Sequence, residues 1–188
     1  MLYHVSPNSG LKTIQPHLST HQKAYVYAIE NMVTGLLFGV KMDDFDFIIS
    51  TDENDVPIIW ECYPEAFRKV YQGKACSVYI VDDKGFQRGM TSWDPELVCE
   101  NEVEVIREIV VEDLYKRLLD EEQNGNLKIF RYEFCDEYRK KIARHITDRF
   151  IRFRIDLNRC TERDIRFATY YKNIIQELIG LMDGHLLP

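Results

Sequence analysis

The chain has no long apolar run. Nothing in it approaches the roughly 18 consecutive apolar residues of a membrane-spanning helix, so no membrane partner is expected. Its first residues, Met1-Leu2-Tyr3-His4, carry neither the basic nor the apolar stretch of a secretory signal, and a cytoplasmic location is expected. Cysteine is sparse: Cys62, Cys76, Cys99, Cys135 and Cys160 are odd in number and widely spaced, with no Cys-x-x-Cys pair. That argues against a zinc ribbon or a disulfide framework and for reduced, mostly buried thiols. The glycine-rich cradles GxGxxG and GxxxxGK followed by Ser or Thr are missing too, so a bound nucleotide would be held by neither standard loop. Internal repeats and low-complexity segments are absent.

What is present suits one domain, or one domain with a helical appendage: 188 residues, 45% hydrophobic and 12% aromatic. The net charge of −7 is uneven. Residues 131–166 hold 11 Lys/Arg against 7 Asp/Glu, which leaves the remainder near −11. An acidic body argues against non-specific nucleic-acid binding by the main part of the chain. The mildly basic stretch reads as a solvated helix face, with a partner or nucleic-acid contact left open.

The first half reads as short strands and turns. Leu2–Val5 is stopped by Ser6-Pro7-Asn8-Ser9-Gly10, Tyr25–Ile29 is rich in strand formers, and Asn31 can cap a short helix running toward Val40. Phe45–Ser50 and Val56–Cys62 suit two strands joined by a polar turn. Pro64–Tyr71 suits a helix with Pro64 at its first position and Gly73 beyond its end. Cys76–Val81 is another strand. Val103–Val111 is a long one that should place Val103, Val105 and Ile109 on one face. A helix over Glu112–Glu122 ends at Asn124-Gly125-Asn126. From Arg131 the pattern is mostly helical, with stripes at Ile142, Ile146 and Phe150 and at Ile174, Leu178 and Leu181; the alternating run Ile151–Leu157 leaves a strand open. Strands early and helices late predict an α+β fold.

Three segments carry the chemistry: Tyr3-His4-Val5-Ser6, Tyr25-Val26-Tyr27-Ala28 and Glu96-Leu97-Val98-Cys99. Singly, a His or a Tyr on a short strand is more often structural. Together, their order and spacing resemble the His–Tyr–Glu triad of the diphtheria-toxin-like ADP-ribosyltransferases, the branch of the poly(ADP-ribose) polymerases. His4-Val5-Ser6 matches the first element, Tyr27-Ala28 the second, Phe38 an aromatic eleven residues beyond the Tyr, and Pro95-Glu96-Leu97-Val98-Cys99 the glutamate strand. The N-terminal part is similar to rifampin ADP-ribosyltransferases as well. The likeness covers roughly residues 2–115.

The resemblance implies an ADP-ribosyltransferase-like split antiparallel β-sheet core over residues 1–125. Residues 126–188 would be a mostly helical C-terminal extension, packed on that core or used for partner contact, including a homodimer. It implies NAD as cofactor and cleavage of the nicotinamide–ribose bond, with transfer to an unknown acceptor: a small molecule, a protein or a nucleic-acid end. Such cleavage passes through an oxocarbenium-like transition state. Glu96 would bind the ribose 2′-hydroxyl and stabilise the developing positive charge. His4 would bond the adenosine ribose, Val5 and Ser6 would lie by the nicotinamide amide, and Tyr27 and Phe38 would sandwich the nicotinamide ring. Two positions depart from the family: its Gly between His and Ser is Val5 here, and a helix serine of the polymerases corresponds to Gly35. Glu96 is preferred as the glutamate, with Glu102 as the alternative; at least two of Glu100, Glu102 and Glu104 read as an exposed strand face. A catalytically inactive module of the same fold is the competing function.

No metal site is expected. His17 and His21 have ligand spacing only if helical and lack the Glu of HExxH, and Asp43, Asp44 and Asp46 lack the Gly and distal Glu of a calcium loop. Asp52, Glu53 and Asp55 read as turn formers, and Trp60, Tyr63, Phe67 and Tyr71 as belonging to the core or to a helix–sheet contact. Cys62 and Cys99 have no His/Asn partner suggested by spacing and are poor candidates for a nucleophile.

Overall fold

A computed structural model describes residues 1–18, 23–43, 46–91 and 93–153. The chain is α+β. Strands β1 (Leu2–Ser6), β2 (Thr13–Ile14), β3 (His17–Leu18) and β4 (Ala24–Ile29) lead into helix α1 (Met32–Leu37). Next come β5 (Phe47–Thr51), β6 (Pro57–Glu61), helix α2 (Ala66–Tyr71), β7 (Cys76–Val81), β8 (Gln87–Arg88), β9 (Glu96–Cys99) and β10 (Val103–Val111). Helix α3 (Leu114–Gln123), β11 (Lys128–Phe130) and helix α4 (Asp136–Phe153) complete the described elements. No helix among these residues is long and apolar enough to cross a membrane.

The contacts divide the chain into two compact units. The first comprises Met1–Met42, Asp52–Pro57 and Val70–Lys128; the second comprises Asp43–Thr51, Ile58–Lys69 and Ile129–Pro188. The first holds an eight-stranded sheet in the order β2-β10-β7-β1-β4-β9-β8, with β3 also paired to β4, and every pairing is antiparallel. Its interior strand β7 is a nearly unbroken apolar run because both faces are covered. On one face Leu2, Val26, Ala28, Tyr79, Val81, Cys99 and Val103 form a core. On the other lies α1, packed on β1, β4 and β7.

Six residues are too few to hold a helix by propensity alone. The α1 helix instead depends on its ends. Asn31 Oδ1 accepts the amides of Val33 (2.9 Å) and Thr34 (3.1 Å), as the cap expected from sequence requires. At its far end the backbone closes on β7 at Gly39, where an added Cβ would stand 2.8 Å from Cys76 Sγ.

Two expectations about local structure change. The helix expected from Pro64 begins at Ala66, because Glu65 takes a left-handed conformation (φ 61°) that interrupts the first turn. Glu61 supplies what the shortened helix then needs: its carboxylate accepts the Phe67 amide at 2.8 Å. Secondly, β10 carries a bulge between Val105 and Arg107. Val105 pairs with Val81 but Ile109 pairs with Val78, so the extra residue, Ile106, moves Ile109 to the face opposite Val103 and Val105.

The second unit holds the three-stranded sheet, β11-β6-β5, and α4. Buried Glu61 is its hub, taking the Tyr132 amide (2.8 Å) on its carboxylate and the Tyr138 hydroxyl (2.9 Å) on its backbone carbonyl. Tyr63 donates to Asp46 at 2.7 Å, and Tyr63 and Phe67 are buried as expected. Ile142 and Ile146 form the buried stripe of α4. Residues 151–153 continue that helix rather than starting a strand. The stripe at Ile174, Leu178 and Leu181, and with it the expected dimer contact, lies outside the described residues.

Replacing Asn31 by Ala should lower stability by about 1 kcal/mol, the usual worth of an N-cap. Gly39→Ala should cost about 1–3 kcal/mol by overpacking against Cys76. Urea unfolding followed by circular dichroism measures both.

Candidate active site

Strand β1 sits between β7 and β4, but the two pairings are unequal. With β7 it shares five register pairs from Leu2 to Ser6; with β4 it shares one, Tyr3 with Ile29. Beyond Tyr3 the ladder opens, and the His4 side chain crosses the gap: Nδ1 donates to the Tyr27 carbonyl at 2.7 Å. A carbonyl can only accept, so Nδ1 carries the proton and a neutral His4 keeps Nε2 as an acceptor. Burial pushes the His4 imidazole below its ordinary value, opposed by the Tyr27 bond and reinforced by nearby His17. His4 is therefore neutral at pH 7.

Next to this opening is a cleft of about 160 Å³ lined by residues from five segments. Tyr3, His4 and Val5 come from β1, Tyr27 and Ile29 from β4, Gly35 and Phe38 from α1 and its end, His17 from β3, and Trp93 and Glu96 from the entry to β9. The register explains why. Tyr3 pairs with Ile29, which pairs with Glu96, while Tyr27 pairs with Val98, so all five side chains share the sheet face that carries α1. The volume is below the roughly 300–1,000 Å³ of pockets that enclose a drug-sized ligand. It suits one ring with the remainder of a ligand outside.

Of the residues expected to form a site, His4, Val5, Tyr27, Phe38 and Glu96 line this one cleft. Ser6 does not. It has the parity of His4 but does not cross the gap: it pairs with Ser77, and its Oγ accepts the Asn8 amide at 3.2 Å. Glu102, the alternative glutamate, is exposed and accepts from Gln15 Nε2 at 2.7 Å, at the edge where β2 meets β10. The two departures from the family pattern are neighbours. A Cβ on Gly35 would come within 3.1 Å of a Val5 methyl and of an Ile29 methyl, so Val5 occupies the room that a larger residue at 35 would need.

Trp93 was not among the expected residues. Its ring lies 5.1 Å from that of Phe38, tilted by 55°, and the two form one aromatic wall. Tyr27, also in the lining, packs with His17 at 5.6 Å and with Tyr25 at 6.0 Å. The turn bearing Trp93 is fastened by Arg88, which donates to the Asp94 carbonyl (2.7 Å) and pairs with Glu30 (2.8 Å). A tryptophan in the polar turn Thr91–Pro95, three residues before the chosen glutamate, was the available signal, since a large apolar side chain in a turn has no core to enter.

His17 lies in a strand and not in a helix; His21, like Asp44, lies outside the described residues. Among the described residues no group of three or more His, Cys, Asp or Glu could hold a metal ion. Cys62 and Cys99 are buried, and burial raises the Cys76 thiol to about 11, far from a thiolate at neutral pH. Compared with protein-family models, curated proteins and solved structures, the chain matches none.

Because the folded chain holds the His4 proton less tightly than the unfolded chain, the contribution of this histidine to stability is complete above pH 6.5 and is lost as pH falls below it. Thermal melts of the native protein should hold down to about pH 6.5 and drop as pH falls from there toward about 5. His4→Gln, which has no such proton to gain, should show a smaller drop.

Proposed function

We propose that the chain is an NAD-dependent ADP-ribosyltransferase-like protein, which binds NAD and cleaves its nicotinamide–ribose bond to modify an acceptor. One observation carries this reading: His4, Tyr27, Phe38 and Glu96, spread over more than ninety residues of sequence, line a single cleft at an opening in the sheet. In this reading the nicotinamide ring enters between Tyr27 and the wall of Phe38 and Trp93. Each well-placed ring contributes on the order of 0.5–2 kcal/mol toward a cationic pyridinium. Neutral His4 accepts from a ribose hydroxyl through Nε2. Glu96 stands on the same face and stabilises the oxocarbenium-like charge while holding the ribose 2′-hydroxyl. As nicotinamide leaves, the acceptor takes its place on the ribose carbon.

A second reading, a non-catalytic module that binds NAD-like ligands, is favoured by Ser6 and Val5. Ser6 faces away from the cleft, and Val5 fills space beside Gly35, which narrows the end where the carboxamide would bind.

Purified protein titrated with NAD should bind it by calorimetry and release nicotinamide, detected by chromatography. Glu96→Gln should reduce release by on the order of 10²–10³-fold, the usual effect of removing one charge-stabilising group. Phe38→Ala should weaken binding by roughly 2- to 30-fold. Binding with no release from the native protein would select the second reading, and no binding would overturn both.

A further inference from the structure

Quite apart from the cleft beside β9, we propose that the second unit binds single-stranded nucleic acid along the cationic face of α4. Glu137, Lys140, Lys141, Arg144 and His145 recur at the three- and four-residue spacing that gathers side chains on one helical face. With Ile48 of β5 they line a cavity of about 530 Å³, within the range of ligand-binding pockets. Lys140, Lys141 and Arg144 are exposed, and none of the three pairs with a carboxylate among the described residues. Three cations converge on this concavity, and Glu137 is the one acidic side chain in its lining among the described residues. The rest of the chain is acidic, so the basic surplus is confined to this stretch.

Cations alone would suit any anion. The adjoining rings narrow the choice. Lys141 Nζ lies 3.1 Å above the Trp60 ring, and the same indole stacks on Phe130 at 3.8 Å with 7° between planes. From Trp60 the rings continue through Tyr138 (6.1 Å) and Tyr132 (5.4 Å further) to Phe134 (5.2 Å further). Phe134 is 80% exposed and Phe130 39%, so this series does not end inside a core. A cationic concavity whose Lys141 touches the first ring of a series ending on exposed Phe134 offers the two things a single strand needs, cations for its phosphates and a flat ring for a base. An acidic peptide would use the cations and leave the rings idle. The strand's phosphates sit against Lys140, Lys141 and Arg144, and a base stacks on Phe134.

The test is fluorescence anisotropy of a short labelled oligothymidylate with the full chain, at several salt concentrations between about 50 and 200 mM. Three phosphate contacts predict that the logarithm of affinity falls against that of salt with a slope of about −2, and the double variant Lys140→Gln/Arg144→Gln should reduce it to about −0.7. Phe134→Ala should weaken the oligonucleotide by roughly tenfold while leaving inorganic tripolyphosphate, followed by calorimetry, unchanged. All three substitutions fall on exposed side chains, and unchanged thermal melts verify that the variants fold. The proposal is overturned by no oligonucleotide binding at low salt, or by binding that the double variant retains. It is equally overturned if tripolyphosphate binds as tightly as the oligonucleotide, or if phosphatidylserine vesicles bind and the oligonucleotide does not.

Discussion

The bond from the His4 imidazole to the Tyr27 carbonyl is the constraint on which the candidate site depends. Two neighbouring strands that part company after one register pair leave backbone groups without their ladder partners, and a buried carbonyl left unpaired is costly. His4 supplies the missing donor and holds the gap at a fixed width. Three consequences follow from that one bond. The opening persists instead of zipping shut; the imidazole is fixed as one tautomer; and the Tyr27 segment stays in register with β9, which brings Glu96 to the same face. A side chain that closed the gap less well would disturb the whole wall of the cleft together.

Much of the architecture could be read from the chain because it was written in local patterns. The apolar run Cys76–Val81, the strand formers around Tyr27 and the Asn31 cap each specify their element without help from distant residues. The candidate site was legible in part for a different reason: Val5, Tyr27 and Glu96 lie on one face of their strands, whereas His4 has the opposite parity and reaches the cleft only because the ladder opens beside it. What escaped was set by tertiary context. No periodicity marks Ile106 as the extra residue of a bulge, since the bulge exists only relative to its partner strand. Glu65 enters a left-handed conformation for reasons outside its own propensity, and the helix after it is shorter than Pro64 suggests. Ser6 has the same parity as His4, but its short side chain is held by the Asn8 amide instead of crossing the gap.

The second unit illustrates how one buried acid can organise a small layer. Glu61 is nearly inaccessible, yet neither carboxylate oxygen is idle: one serves the Phe67 amide and the other the Tyr132 amide. Charge-assisted bonds to backbone amides are stronger than neutral ones and offset much of the cost of desolvation. By tying α2 and the segment before α4 to the end of β6, Glu61 decides where the aromatic series from Trp60 to Phe134 begins. Composition gives no hint of this, because a lone glutamate at the end of a strand usually faces solvent.

The irregularity in β10 has a consequence for the behaviour of many copies rather than one. Strand β2 covers only Val103 and Glu104, so from Arg107 onward the outer edge of β10 has no neighbouring strand among the described residues. Ile106 and Val110 on that strand are 60% and 58% exposed. A long, straight, apolar edge is a template on which a second chain can add as another strand, the first step toward an amyloid-like stack. The kink at Ile106 twists the edge away from such a partner, and the interleaved charges of Glu104, Arg107, Glu108 and Glu112 make a register-matched copy repel itself. The extra residue that spoils the alternation of β10 is thus a safeguard for solubility.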